Sequence, residues 1–155
     1  MKNIFKLIIV LVICQLAGLL GSMFNAVSLK DWYPSLIKPS FNPPNWIFAP
    51  VWIILFVLMG ISLYLAWIGK SKNKKYALKL FYTQLMLNII WSAFFFGLRN
   101  PLLAFIEIII LCVFILLTML EFYKIDSKAG YLLIPYLAWV TFASVLNLFI
   151  FILNH

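Results

Sequence analysis

The sequence predicts an all-α integral membrane protein: a bundle of five transmembrane helices with a long proline- and tryptophan-rich first loop. Two observations carry this. Of the 155 residues, 66% are hydrophobic and only 10% charged, far from the balance of a soluble domain. Five runs, near 4–24, 46–68, 76–98, 102–122 and 131–153, each approach the ~20 apolar residues that cross a bilayer core. Backbone donors and acceptors in hydrocarbon must be satisfied within the segment, so the runs are helices. Together they read as one domain, 1–155.

The first run follows Lys2 and Lys6 and continues to Phe24 without a small-x-small cleavage site, so it reads as a membrane span rather than a secretory signal. Its Ala17, Gly18, Gly21 and Ser22 form two overlapping small-xxx-small pairs, a face that lets another helix approach closely, in the same subunit or a second one. The connection that follows, from Asn25 to near Asn45, is unusually long for a helix–helix loop. The stretch Trp32–Trp52 holds three of the six tryptophans and five of the seven prolines. Proline stiffens the backbone, and the aromatics offer large stacking faces. Two readings are open: a rigid aromatic lid, or an interfacial aromatic belt.

The second helix is expected to start at Trp46 or just after Pro50, because proline is tolerated in a first turn. Trp52, Phe56, Gly60 and Tyr64 recur every four residues and share one face. A short basic turn, Lys70–Lys75, leads into the third helix, the most polar at depth. There Gln84, Asn88, Trp91, Ser92 and Phe95 fall on one face. Amides are costly in hydrocarbon, so that face points inward, as a site or as interhelical glue. Arg99-Asn100-Pro101 makes a tight turn, with Pro101 starting the fourth helix. Glu107 follows about 9 Å into that helix; it is either a functional acid or a carboxyl that is neutral or bonded to a neighbouring helix. The fifth helix brings Pro135, Trp139, Phe142, Ala143, Leu146 and Asn147 to one face, where Asn147 is expected to meet the amides of the third helix. Aromatic walls with a few placed amides are the usual character of a small-molecule site.

Charge sets the topology. Lys2, Lys6, Lys70, Lys72, Lys74, Lys75, Lys79, Lys124 and Lys128 fall on one side of a five-span arrangement, and only Lys30, Lys38 and Arg99 on the other. The positive-inside rule then makes the N-terminus cytoplasmic and the Trp32–Trp52 loop external. The net charge of +8 thus reflects membrane topology, and no nucleic-acid partner is expected. Cys14 and Cys112 lie inside helices, in no metal or redox spacing. The one histidine is His155, and Asp31, Glu107, Glu121 and Asp126 do not pair as an acid–base site. No metal site, phosphate loop or intrinsic cofactor is expected, so reactivity would have to come largely from a ligand.

Three stretches in order, W-Y-P-S-L-I-K-P-S-F-N-P-P-N-W-I-F-A-P-V-W at 32–52, Q-L-M-L-N-I-I-W-S-A-F-F-F-G at 84–97 and P-Y-L-A-W-V-T-F-A-S-V-L-N at 135–147, resemble the tryptophan-rich sensory proteins. These are relatives of the translocator protein, or peripheral benzodiazepine receptor, and the resemblance covers essentially the whole chain. It implies a five-helix bundle that commonly dimerises in a bacterial cell membrane. It also implies binding of porphyrins, notably protoporphyrin IX, beneath the first loop, in a pocket that takes benzodiazepine-receptor-type small molecules in relatives. By motif match Trp32 and Tyr33 belong to the lid and Trp52 to the mouth. Asn88, Trp91, Trp139, Phe142, Ala143 and Asn147 line the pocket. Bacterial relatives are linked to light- and oxygen-dependent control of tetrapyrrole levels, which makes Trp52 and Trp139 the candidates for a photochemical role. The chain departs from animal relatives in lacking, over 146–155, the Tyr followed by Lys or Arg of their cholesterol motif. The resemblance leaves three functions open: a porphyrin receptor or sensor, a light-dependent porphyrin-degrading enzyme, and a porphyrin transporter. A purely structural bundle would leave the length and proline content of the first loop unexplained.

Overall fold

The computed structural model describes residues 2–155, with side chains from residue 3 onward; the Lys2 side chain, counted above with the basic end, lies outside them. Helices account for the five spans, and the described residues contain no strand. Helix α1 runs Lys2–Ser28, α3 Asn45–Ile68, α4 Lys74–Ser92 and α5 Pro101–Ile125; the fifth span is the short α6, Ser127–Tyr131, followed by α7, Ile134–Leu153. All five are long and apolar enough to cross a membrane, and the protein is an integral membrane protein.

Several details differ from the sequence reading. Helix α1 continues to Ser28, past the last strongly apolar residue. The first loop is not featureless, because Trp32–Ser35 closes one helical turn, α2, on the Asp31 side chain, which accepts from the Trp32 N–H. Helix α3 begins at Asn45 and carries Pro50 inside it, so the Trp46 carbonyl loses its intrahelical donor near the exposed helix end. The third span does not stay α-helical. Ala93–Gly97 widens into a π turn, closed by Leu98 N–H to the Ala93 carbonyl at 2.8 Å. The span ends here, and the last carbonyls of a helix need partners from outside it. Here the Ser28 hydroxyl donates to the Phe96 carbonyl at 2.5 Å, and Phe95 and Phe96 are both buried.

The core fills the half of the bundle towards the lysine-rich turns. Met59, Leu63, Phe81, Leu111, Ile115, Phe122 and Leu133 are buried there, and Phe81 stacks on Phe122 at 5.5 Å. Lys6 lies over the Trp67 ring at 5.4 Å, and Lys74 donates to the Trp67 and Gly69 carbonyls, so the start of α1 and the α3–α4 turn share one end. Helix α1 crosses α3 closely where Leu11 meets Gly60. A Cβ on Gly60 would stand 2.8 Å from Leu11 Cδ2 and 3.2 Å from Leu11 Cα, so only glycine allows this approach. On the face that Gly60 shares with Trp52, Phe56 and Tyr64, Leu11 fills the space beside it. The small-residue face of α1 is also used within the chain: Gly18 faces Phe56 and Gly21 faces Ser92.

Candidate functional site

Outward of the Leu11–Gly60 crossing, where the Phe56 ring of α3 also reaches Gly18 of α1, these two helices enclose a space with α4 and α7. The result is a cavity of about 970 Å³, at the upper end of small-molecule sites. Tyr33 and Asn45 contribute from the loop end; Phe48, Trp52 and Phe56 from α3; Asn88, Trp91 and Ser92 from α4; Trp139, Ala143 and Asn147 from α7. No side chain on its wall is ionisable apart from Tyr33. The wall is aromatic and aliphatic, punctuated by amides and serines.

Seven of the nine residues expected at the site are on this wall: Tyr33, Trp52, Asn88, Trp91, Trp139, Ala143 and Asn147. Trp32 and Phe142 are not. The Trp32 indole packs edge-on against Phe95 at 5.6 Å, and Phe142 lies between Trp139 and Phe41, at 5.5 and 6.4 Å. Both are a layer behind the cavity, because one helical turn presents only part of its aromatic set to one side. The three tryptophans of the 32–52 stretch thus separate: Trp32 packs, Trp52 faces the cavity, and Trp46, 73% exposed, suits an interfacial belt.

The amides are ordered by a chain of donors and acceptors. Asn88 Nδ2 donates to Tyr136 Oη at 2.9 Å, and the Tyr136 hydroxyl donates to Gln84 Oε1 at 2.8 Å. Tyr136 and Gln84 are fully buried. This fixes the Asn88 amide with its nitrogen towards the core and its carbonyl free for the cavity. Asn147 does not meet the amides of α4, as expected from the sequence. Its Oδ1 accepts from Trp91 Nε1 at 3.1 Å, and its Nδ2 donates to the Pro101 carbonyl at 2.8 Å. The reason is spacing, since Asn147 lies level with Trp91 and the start of α5, while Tyr136 lies level with Gln84 and Asn88. Glu107 is buried among Ala104, Ile108 and Leu111 on its own helix, and neither of its oxygens has a hydrogen-bond partner, so of the readings open for it, the bond to a neighbouring helix is not made.

The sequence reading missed Gln15 and Asn25, both on the wall. Gln15 Nε2 donates to the Ile53 carbonyl at 3.2 Å, and Asn25 Oδ1 is buried without a partner. The signal was available: amides in an apolar run at the same helical register as Gly18 and Ser22 mark an inward face, as they did on α4.

The loop is held over the outer end by several attachments. The Asn154 amide clasps one residue on both sides: Ile37 N–H donates to Oδ1 and Nδ2 donates to the Ile37 carbonyl, each at 2.8 Å. Phe41 packs edge-on against Phe149 at 5.2 Å, and Lys38 lies 4.6 Å from the Tyr33 ring centre. At the loop's start Arg99, at a positive φ of 51°, makes a forked pair with Asp31 at 2.9 and 3.2 Å and also donates to Ser28. The Trp32 N–H, with Arg99 beside it, holds the Asp31 carboxyl below the usual carboxylate range.

The model of the family described as "TspO/MBR family" matches residues 10–153. The Tryptophan-rich protein TspO of Archaeoglobus fulgidus is 45% identical over 152 residues, 98% of this chain and 99% of that one. The Translocator protein of Homo sapiens is 35% identical over 144 residues, covering 91% of this chain and 85% of its own. The Tryptophan-rich sensory protein of Cereibacter sphaeroides is 36% identical over 117 residues, covering 76% and 73%.

Proposed function

This chain belongs to the TspO/MBR family, and on that footing we propose that it is a membrane receptor or sensor binding protoporphyrin IX in the outer cavity, within tetrapyrrole regulation. The observation that carries this is a large cavity with two indoles, Trp52 and Trp139, and no Lys, Arg, His, Asp or Glu on its wall. A flat apolar macrocycle gains from burial against such surfaces. Its two carboxylates gain nothing there, since an unpaired buried charge is costly. In the bound state the ring therefore lies inward and the carboxylates lie at the outer end, which carries Lys30, Lys38 and Arg99. The names of relatives, a sensory protein and a translocator protein, agree with a membrane receptor role. Benzodiazepine-receptor-type molecules are expected to compete for the same wall. The protein acts as a homodimer in the bacterial cell membrane, among its lipids, with the N-terminus cytoplasmic by the distribution of lysines.

A second reading, light- and oxygen-dependent porphyrin degradation, draws on one specific feature. Trp52 and Trp139 both face the cavity, where an indole is placed to give an electron to an excited macrocycle, with molecular oxygen as the oxidant. One experiment separates the readings. Purified protein is titrated with protoporphyrin IX, then illuminated in air beside a dark control and free porphyrin. Saturable quenching of tryptophan fluorescence supports the receptor. A defined product formed only with protein and light, and lost in W52F/W139F while binding persists, supports the enzyme. No saturable binding refutes both.

A further inference from the structure

Several wall residues of α1 and α3 have a double character. Val12, Leu16 and Leu19 of α1 and Ile53 of α3 line the cavity, yet they are 50%, 51%, 58% and 57% exposed. A side chain that faces a cavity and the outside at once stands at the edge of an opening. These four lie within the spans Asn3–Ser28 and Asn45–Ile68, so the opening looks sideways into hydrocarbon. It runs outward from the Leu11–Gly60 crossing, beside the contact of the Phe56 ring with Gly18. Its edge is mainly apolar, with exposed Ser22 and Asn45 towards the outer end, and one polar rung crosses it, the Gln15 Nε2 bond to the Ile53 carbonyl at 3.2 Å. The alternative route, under the first loop, is fastened by the two-sided Asn154–Ile37 clasp and the Phe41–Phe149 contact.

We propose that the cavity is loaded from the bilayer through the α1–α3 opening, and that the Gln15–Ile53 hydrogen bond is its gate. The ligand class this route admits is a flat, apolar molecule already partitioned into lipid; a water-soluble polar ligand has no path along an edge made mainly of Val, Leu and Ile. Passage breaks one hydrogen bond and leaves the loop attachments in place. The rung is made by a long side chain to a backbone carbonyl that already belongs to α3, so it opens by a rotamer change without unwinding either helix. This inference rests on the reading that the cavity binds a porphyrin-like ligand.

The test uses full-length protein in proteoliposomes, mixed with protoporphyrin IX-loaded vesicles and followed by stopped-flow tryptophan quenching, with equilibrium affinity measured separately. Gln15→Leu removes the rung and should raise association and dissociation rates together by about threefold or more, the worth of one intramembrane hydrogen bond. Leu19→Trp narrows the opening and should slow both. Asn154→Ala loosens the loop and should leave both rates within about twofold of the parent. Acceleration by Asn154→Ala, with Gln15→Leu and Leu19→Trp at parental rates, would make the loop the gate and overturn the proposal. A circular-dichroism spectrum and SDS-unfolding midpoint like the parent's show that each variant has folded. A parent without saturable equilibrium binding would fail at the earlier step, sinking the ligand reading and this route with it.

Discussion

Tyr136→Phe isolates the polar chain behind the cavity wall. The substitution keeps the fully buried ring and removes two hydrogen bonds, one accepted from Asn88 Nδ2 and one donated to Gln84 Oε1. Measured intramembrane bonds average about 0.6 kcal/mol and reach about 1.7, so losing two costs about 1–3 kcal/mol. The upper part of that range is expected, because Gln84 Nε2 already lacks a partner and the substitution strips the amide of its remaining bond. Unfolding by SDS titration in mixed micelles, followed by circular dichroism, measures the difference. A second substitution sharpens it. Gln84→Leu alone also breaks the chain, but together with Tyr136→Phe it replaces both partners by apolar groups, which is close to neutral when shape is kept. The double variant should therefore be more stable than the two single losses combined imply, by about 1 kcal/mol. A Tyr136→Phe protein within about 0.5 kcal/mol of the parent, or strictly additive losses, would refute the view that this chain is a connected unit.

Gly60→Ala places a methyl 2.8 Å from Leu11 Cδ2 and 3.2 Å from its Cα; overpacking of this kind costs about 1–3 kcal/mol, and Leu11→Ala should restore only part of it, because the contact with the Leu11 backbone remains. The same SDS titration reads both. Asp31 has a native pKa below its unfolded value of about 3.9. Its anchoring of the loop start is therefore present above about pH 4 and lost as pH falls through the native pKa. An acid titration of Trp32 fluorescence in a variant with the other tryptophans changed to Phe should show that step, and Asp31→Asn should remove it. Protoporphyrin dimethyl ester should bind within about threefold of the free acid in competition titrations, because the wall offers the carboxylates no partner; a tenfold loss would mean that they are recognised inside.

The spans were legible because hydrocarbon leaves the backbone no alternative to helix, so hydropathy alone locates them. The inward faces of α4 and α7 were legible for the same reason that exposed their amides: a polar side chain at depth has to face protein. Partners were not legible. Asn88 and Asn147 sit on facing helices, but the axial offset that sends one to Tyr136 and the other to Trp91 depends on the tilt and register of α7, which no local pattern records. Tyr136 itself reads as one more aromatic in an apolar run. The π turn at Ala93–Gly97 was hidden too, because it is selected by Ser28, a residue on another helix that satisfies the Phe96 carbonyl. Trp32 shows the limit of motif transfer. It belongs to the right segment, yet it packs on Phe95 behind the wall.

The absence of acidic and basic side chains from the cavity wall also decides how the site meets the membrane's electric field. Moving one elementary charge across the whole membrane costs about 2.3 kcal/mol per 100 mV, so a site that drew charge into the bilayer would fill and empty as the cell energises. In the proposed receptor an apolar ring lies inward with its acids at the outer surface, so little charge would cross the field. Occupancy then follows the amount of ligand dissolved in the lipid and is indifferent to whether the cell is energised. A receptor built this way reports chemistry without being confused by voltage.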